Sequence, residues 1–254
     1  MNTNNLRAIG AAIMFAMAGS TSAASVSVLD FEGFASGQII DDEYAPVVSI
    51  SAVNLSSGPD VAIIFDTTDL NPAGDDFDLV APFNSNNPDL PDNYMPGNVL
   101  IIQERNDCNF GTGFCATPDD EGSRPGGEFE FLFSEAVTLE TIDFFDVELV
   151  ENNSNPNSEI HLFNSDDIEI QMGLFFVPST GGDNLWNQLD FGSVNDVRRI
   201  VIEINGSGAI DNLTYQVGEV VPVPASAWLF GSAIGLLGWL RRRSQRTLAT
   251  LTPE

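Results

Sequence analysis

Three groups of oxygen-bearing side chains are the part of this chain best suited to chemistry. In FDTTDLNPAGDDFDL, Asp66, Asp69, Asp75, Asp76 and Asp78 fall within one turn-rich stretch, and in TPDDEGSRPGGE, Asp119, Asp120 and Glu121 are consecutive. The third group pairs Glu32, in LDFEGF, with Asp211 and Asn212, in GSGAIDNLTY, from opposite ends of the body. Calcium takes about six to eight oxygens from carboxylates, amides and backbone carbonyls on flexible loops, which is what these segments offer. Neither aspartate-rich loop has EF-hand spacing. The chemistry they suggest is binding of a structural Ca2+; solvated surface charge is the alternative use of the same residues.

Covalent and acid–base catalysis are less well provided for. His161 is the only histidine and sits in the alternating stretch EIHLFNS, where a sheet residue is expected rather than the base of a Ser-His-Asp or Cys-His pair. Two carboxylates suffice to hydrolyse a glycosidic bond, but among 37 acidic residues a pair has no diagnostic value. A non-enzymatic binding or structural protein is therefore the leading expectation, and a secreted carbohydrate-active hydrolase its rival. Sugar binding uses aromatic platforms. Tyr44, Tyr94, Trp186 and Tyr215 are the candidates, with Trp186, in GGDNLWNQLDFG beside a glycine-rich turn, the first to mutate and core packing its alternative role.

Composition narrows the partners. The formal net charge is -28, and all nine basic residues are arginine. So acidic a surface repels phosphate backbones, which argues against nucleic acid and for cations. Hydrophobic residues make up 43% of the chain and phenylalanine alone contributes 18, so it has the material for a folded core.

The elements that must position these residues are strands. From Ser25 to Gly218 the apolar pattern has period two: Phe129, Phe131 and Phe133 share a face in EFEFLF, as do Ile200, Ile202 and Ile204 in RRIVIEIN. About ten such runs, including VTLETIDFFDVEL and IEIQMGLFFV, are separated by Gly-, Pro-, Asn- and Asp-rich turns, and no long amphipathic helix is evident. The expected fold is an all-β antiparallel sandwich of jelly-roll type, forming one domain over residues 25–218. Cys108 and Cys115, separated by six residues in an exported chain, predict a disulfide closing a small loop. LDFEGFASGQIIDDEYAPVVSISA and the closing GSGAIDNLTY resemble the start and end of jelly-roll modules in exported bacterial proteins, carbohydrate-binding ones among them.

The two ends concern delivery. Residues 1–23 have Arg7, an apolar run from Ala8 to Ala18 and small residues up to Ala23, the layout of a secretory signal peptide. Near the other end VPVPASAWLFGSAIGLLGWLRRR predicts a transmembrane segment over 225–240. At about 1.5 Å per residue this covers roughly 24 Å of a hydrocarbon layer about 30 Å thick. Arg241, Arg242 and Arg243 then act as a stop that stays cytoplasmic, with residues 244–254 as a cytoplasmic extension. Pro222, Val223 and Pro224, the AWLFGS run and the arginine cluster together resemble a PEP-CTERM sorting tail, here residues 219–243. That resemblance implies an exosortase-type transpeptidase as partner. It further implies temporary anchoring in the inner membrane, cleavage near the prolines, and passage of the body to the cell surface or exopolysaccharide matrix. A permanent membrane anchor is the alternative.

Overall fold

The computed structural model describes residues 25–70, 72, 76–120, 126–147, 158–170 and 175–218. The expected signal peptide, sorting tail and transmembrane segment, with Asp75 and Glu121, lie outside the described residues. Within them the chain forms twelve strands and no helix. These are β1 (Ser25–Leu29), β2 (Ile39–Ile40), β3 (Val48–Asn54), β4 (Ala62–Asp66), β5 (Asn98–Ile102), β6 (Cys108–Asn109), β7 (Phe114–Cys115), β8 (Gly127–Phe145), β9 (Glu159–Phe163), β10 (Phe175–Phe176), β11 (Trp186–Ile204) and β12 (Ala209–Val217). Every ladder between them is antiparallel.

The alternation of Phe129, Phe131 and Phe133 places all three rings on one face of β8, where each is fully buried. Cross-strand partners complete the layer. Val48, Ile50 and Ala52 of β3 lie opposite Phe133, Phe131 and Phe129 on one side, and Ile200 and Ile202 of β11 lie opposite Phe131 and Phe129 on the other. The intervening Glu128, Glu130 and Leu132 point outward.

Two segments that read as separate strands in the sequence, EFEFLF and VTLETIDFFDVEL, are one 19-residue strand, β8. Its partner β11 is equally long and keeps pace with it through three register shifts between Asp190 and Arg199. Such irregularities bend a strand and sharpen its twist. The first half of β8 pairs with β3 and the second half with β12, while β11 runs beside both. In the other direction, IEIQMGLFFV yields only the short strand β10 among its described residues. The ends of the body meet: β1 pairs with β12 from Ser25 opposite Val217 to Leu29 opposite Leu213. β12 also touches β5, which pairs with β4, and β4 with β2.

The buried side chains fall into two clusters. The larger is centred on the phenylalanines of β8, and the smaller holds Phe65, Phe83, Phe145 and Trp186. Truncating a buried phenylalanine removes its transfer free energy and leaves a cavity, at a cost of about 3–5 kcal/mol. Phe131→Ala is therefore expected to lower unfolding stability in urea by about that amount. Leu132→Ala, on the same strand but 40% exposed, should stay within about 1 kcal/mol, and equal effects would contradict this assignment of faces.

Candidate metal centre

Four connections of the fold bring carboxylates to one place. Asp76 and Asp78, two apart in the β4–β5 connection, are joined by Asp120 from the β7–β8 connection. Asp146 follows directly on β8, and Asp183 precedes β11. Carboxylate oxygens of Asp78, Asp146 and Asp183 all lie within 4.8 Å of one another. Asp76 touches Asp120, whose backbone N–H approaches Asp76 Oδ2 at 3.5 Å, and the Gly208 N–H donates to Asp120 Oδ2 at 2.8 Å. Asp76 is 0% and Asp120 4% exposed.

Local structure holds the group in this arrangement. Asn184, at φ 54°, turns its side-chain amide onto the Asp78 loop, 2.8 Å from the carbonyl oxygens of both Asp78 and Val80. The Asn184 N–H also donates to Asp78 O at 3.0 Å, and the Asp146 N–H donates to Leu185 O at 3.0 Å. Asp146 has a left-handed backbone as well, at φ 55°. Backbone conformations this uncommon outside glycine concentrate where the surrounding structure over-determines the chain.

The electrostatics call for a cation. Asp76 Oδ1, Asp78 Oδ1 and Asp120 Oδ1 are buried and accept no hydrogen bond. Removing a carboxylate from water costs several kcal/mol unless it is paired. The guanidinium groups with defined ion pairs are engaged elsewhere, Arg105 with Asp119 and Arg199 with Glu130 and Asp167. Without a cation the site holds protons instead. Burial, the charge of Asp120 and contact with Asp78 push Asp76 far above the ordinary carboxylate range. Burial pushes Asp120 up to about 7; contact with Asp76 and the Gly208 N–H oppose the rise, and the charges of Asp146 and Asp78 add to it. The oxygens of Asp78, Asp146 and Asp183 fit a hard divalent cation, since ligands about 2.3–2.6 Å from one ion lie within roughly 5 Å of each other.

The structure sorts the sequence candidates. Asp76, Asp78 and Asp120 come together here. Asp66 does not: its Oδ1 accepts from the N–H and hydroxyl of Thr68. Asp119 faces away from its neighbour Asp120 to pair with Arg105, and its N–H donates to Gln103 Oε1. Asp146 and Asp183 were not singled out from the sequence. Asp146 sits where the apolar run of β8 stops, and Asp183 lies in the turn GGDN, each alone within its segment. A further group, Asp41, Asp42 and Glu43, is wholly exposed, and none of its oxygens is a buried one lacking a hydrogen bond.

The pairing of β1 with β12 brings the third sequence group together. Asp211 is buried beside Asp143, its register partner on β8. The Asn212 amide donates to Asp211 Oδ2 at 2.9 Å, to Asp143 Oδ2 at 3.1 Å and to the Tyr94 hydroxyl at 2.8 Å. Asn212 thus serves these carboxylates as a donor through Nδ2. Gln188 donates to Asp143 Oδ1. Glu32 is occupied at Oε1 by the Asn98 N–H at 3.0 Å. Burial raises Asp211 to about 9, opposed by its bond to Asn212 and reinforced by the charges of Asp143, Glu32 and Asp30. Asp211 Oδ1 accepts no hydrogen bond.

Trp186 is not a sugar platform. It is 4% exposed, donates its indole N–H to Pro91 O, and has Tyr94 and Phe145 against its ring. Tyr215 is buried, and Tyr44 packs edge-on against Phe31 and Phe34. His161 lies on β9 among glutamates, with Nδ1 2.8 Å from Glu169; that bond raises its pKa, against a smaller opposing effect of burial. Cys108 and Cys115 form the expected disulfide, across the β6–β7 hairpin.

No protein-family model matches this chain, and no curated protein sequence does. Among solved structures it is similar to a Streptococcus pneumoniae fucose binding module, at 17% identity over 46% of this chain and 79% of that one, with a TM-score of 0.26. It is also similar to the family 32 CBM from C. perfringens NanJ in complex with galactose, at 12% identity over 66% and 93%, with a TM-score of 0.31. A third is the enzymatically active domain of Bacteriophage CBA120 tailspike protein 4, at 9% identity over 68% and 20%, with a TM-score of 0.28. At these scores the likeness carries no functional argument.

A carboxyl whose pKa is higher in the folded than in the unfolded chain binds its proton more tightly when folded. The stability it contributes is full below its unfolded pKa of about 4 and is lost as pH rises through the folded value. Metal-free protein is therefore expected to lose thermal stability between about pH 4 and about pH 9, a window set by Asp120 and Asp211. Melting in chelator across this range tests it, with Asp120→Asn and Asp211→Asn each flattening the decline. A midpoint that climbs with pH throughout would contradict it.

Proposed function

We propose that this protein is an exported, non-enzymatic binding or structural protein of the cell surface or exopolysaccharide matrix, its body a calcium-locked sandwich of jelly-roll type. The observation that carries this reading is the carboxylate cluster, whose buried members Asp76, Asp120 and Asp146 come from three connections of the fold and whose exposed member Asp183 comes from a fourth. A single divalent cation there would tie those connections together. Calcium suits the site better than a transition metal because the donors are all hard oxygens with no histidine or cysteine among them, and better than magnesium because irregular loops supply many carboxylates. Such a lock serves a module held outside the cell, where calcium is plentiful. The signal-peptide layout and the PEP-CTERM-like tail support delivery by export and exosortase processing.

Catalysis has less support. His161 has glutamates for hydrogen-bonding and ion-pair partners rather than a serine or cysteine nucleophile. The most strongly perturbed carboxyls, Asp76 and Asp211, are buried beside other carboxyls rather than lining an open cleft.

Calcium is expected to raise the melting temperature of chelator-treated protein. Free calcium at 100 times the dissociation constant corresponds to about 2.7 kcal/mol. Asp76→Asn combined with Asp120→Asn should abolish the response, and an unchanged wild-type midpoint would overturn the calcium lock. Because ligands must shed protons to bind the metal, the calcium response should grow with pH. Delivery is tested separately: intact-mass measurement of surface material should find the chain shortened beyond the proline motif, and retention of Glu254 would count against sorting. Hydrolysis of any member of a polysaccharide panel, lost on changing one carboxylate, would favour the enzyme instead.

A further inference from the structure

The aromatic residues singled out from the sequence are covered, but another aromatic ring is not. Phe110, at the turn of the β6–β7 hairpin, is 68% exposed. A lone exposed apolar side chain is ordinary. This one lines a cavity of about 230 Å³ whose wall also includes Asp41, Glu43 and Asp60 and, beneath them, Ile50 and Val61. The three acids are exposed and the two apolar residues buried.

The hairpin carrying Phe110 is fixed in place. The Cys108–Cys115 disulfide closes it, and two backbone hydrogen bonds dock it on the segment leading into β2, from Ile39 N–H to Gly113 O at 2.9 Å and from Cys115 N–H to Gly37 O at 2.8 Å. Gly37 permits this approach: it has φ +80°, and a Cβ there would lie 2.3 Å from Cys115 O. The carboxylates are oriented as well. Backbone N–H groups bind one oxygen of each, Asp42 on Asp41 at 2.7 Å, Asp41 on Glu43 at 2.8 Å and Asn54 on Asp60 at 3.0 Å. An aromatic ring on a braced hairpin and three backbone-held carboxylates, lining one cavity over an apolar floor, form an arrangement prepared for a ligand rather than a solvated loop.

The ligand can be read from this chemistry. The C–H face of a sugar ring packs on an aromatic ring, and carboxylates accept hydrogen bonds from its polar groups. Drug-sized ligands use pockets of about 300–1,000 Å³, so this smaller cavity suits a single ring of a chain. Three carboxylates repel uronic acids and sulfated sugars, and they bind an ammonium more strongly than a hydroxyl through charge-assisted hydrogen bonds. The geometry points to a site for an amino sugar with a free amine, a glucosamine unit, held between Phe110 and the carboxylates of Asp41, Glu43 and Asp60. This rests on the proposed reading of the body as a binding module and uses none of the buried calcium-cluster residues.

Calorimetric titration of the calcium-loaded protein with a glucosamine oligomer tests it, alongside the fully N-acetylated oligomer and a uronic-acid oligomer. The glucosamine oligomer should bind at physiological salt, the acetylated one at least about tenfold more weakly, a difference of about 1.4 kcal/mol, and the uronate not at all. Phe110→Ala and Asp60→Asn should each weaken binding by about tenfold or more. Glu135→Gln, which removes an exposed charge away from the cavity, should not. Equal binding by all three variants and the wild type would assign the affinity to the overall negative charge and overturn the site, as would equal binding of the amine and acetylated oligomers. The calcium-induced melting shift is measured on the same samples. Absent sugar binding with an intact shift removes the pocket and leaves the calcium lock standing; sugar binding without a shift does the reverse.

Discussion

Carboxylates crowded against one another, several of them out of water, are the constraint around which the loops of this protein are arranged. A β-sheet positions its own strands, since hydrogen bonding and alternation of apolar residues determine which face is covered. Long irregular connections have no such device. Here three of them bring Asp76, Asp120 and Asp146 together out of water with the half-buried Asp78, and the exposed Asp183, from a fourth, has its carboxylate within 4.8 Å of Asp78 and Asp146. Their mutual repulsion would drive them apart unless protons or a metal ion neutralised it. The connections are thus coupled electrostatically, and their order depends on what occupies the space between the carboxyls.

The sheet supplies the fixed points for that coupling. β8 delivers Asp143 and then Asp146 within a few residues, so one strand end serves both acidic groups. Asn184 does comparable work from the opposite direction, with its amide directed at the carbonyls of the Asp78 loop. Neutral amides take the part that arginine plays in most proteins: Asn184, Asn98, Asn212 and Gln188 each cross between segments. In a chain with 37 acidic and nine basic residues, hydrogen-bond donors have to come largely from such groups.

Much of the sheet was legible in the sequence because alternation is a local property. EFEFLF and RRIVIEIN declare their buried faces without reference to anything else. The union of EFEFLF with VTLETIDFFDVEL into β8 was not legible, since a strand continues through irregular residues only when partners on both sides hold it. The acidic centre was half legible. Asp76, Asp78 and Asp120 lie in conspicuous acidic runs, but Asp119 is as conspicuous as Asp120 and points elsewhere. Asp146 and Asp183 have no local signature, and what makes them candidate ligands is a proximity set by the topology. Trp186 misled for a related reason: its glycine-rich neighbourhood suggests a surface turn, whereas its ring is the first inward-facing position of β11. The meeting of Glu32 with Asp211, by contrast, followed from expecting the two ends of the body to lie side by side.

That meeting of ends has a mechanical side. β12 runs between β1 and β8, paired antiparallel with both along residues 214–217. A load applied beyond Gly218 pulls along the axis of this strand and not across it, so the hydrogen bonds on both flanks bear it together instead of opening one after another. A body tethered through this end and dragged by flow or by a polymer network would resist in shear, which suits a strand that forms the last link between a fold and whatever holds it.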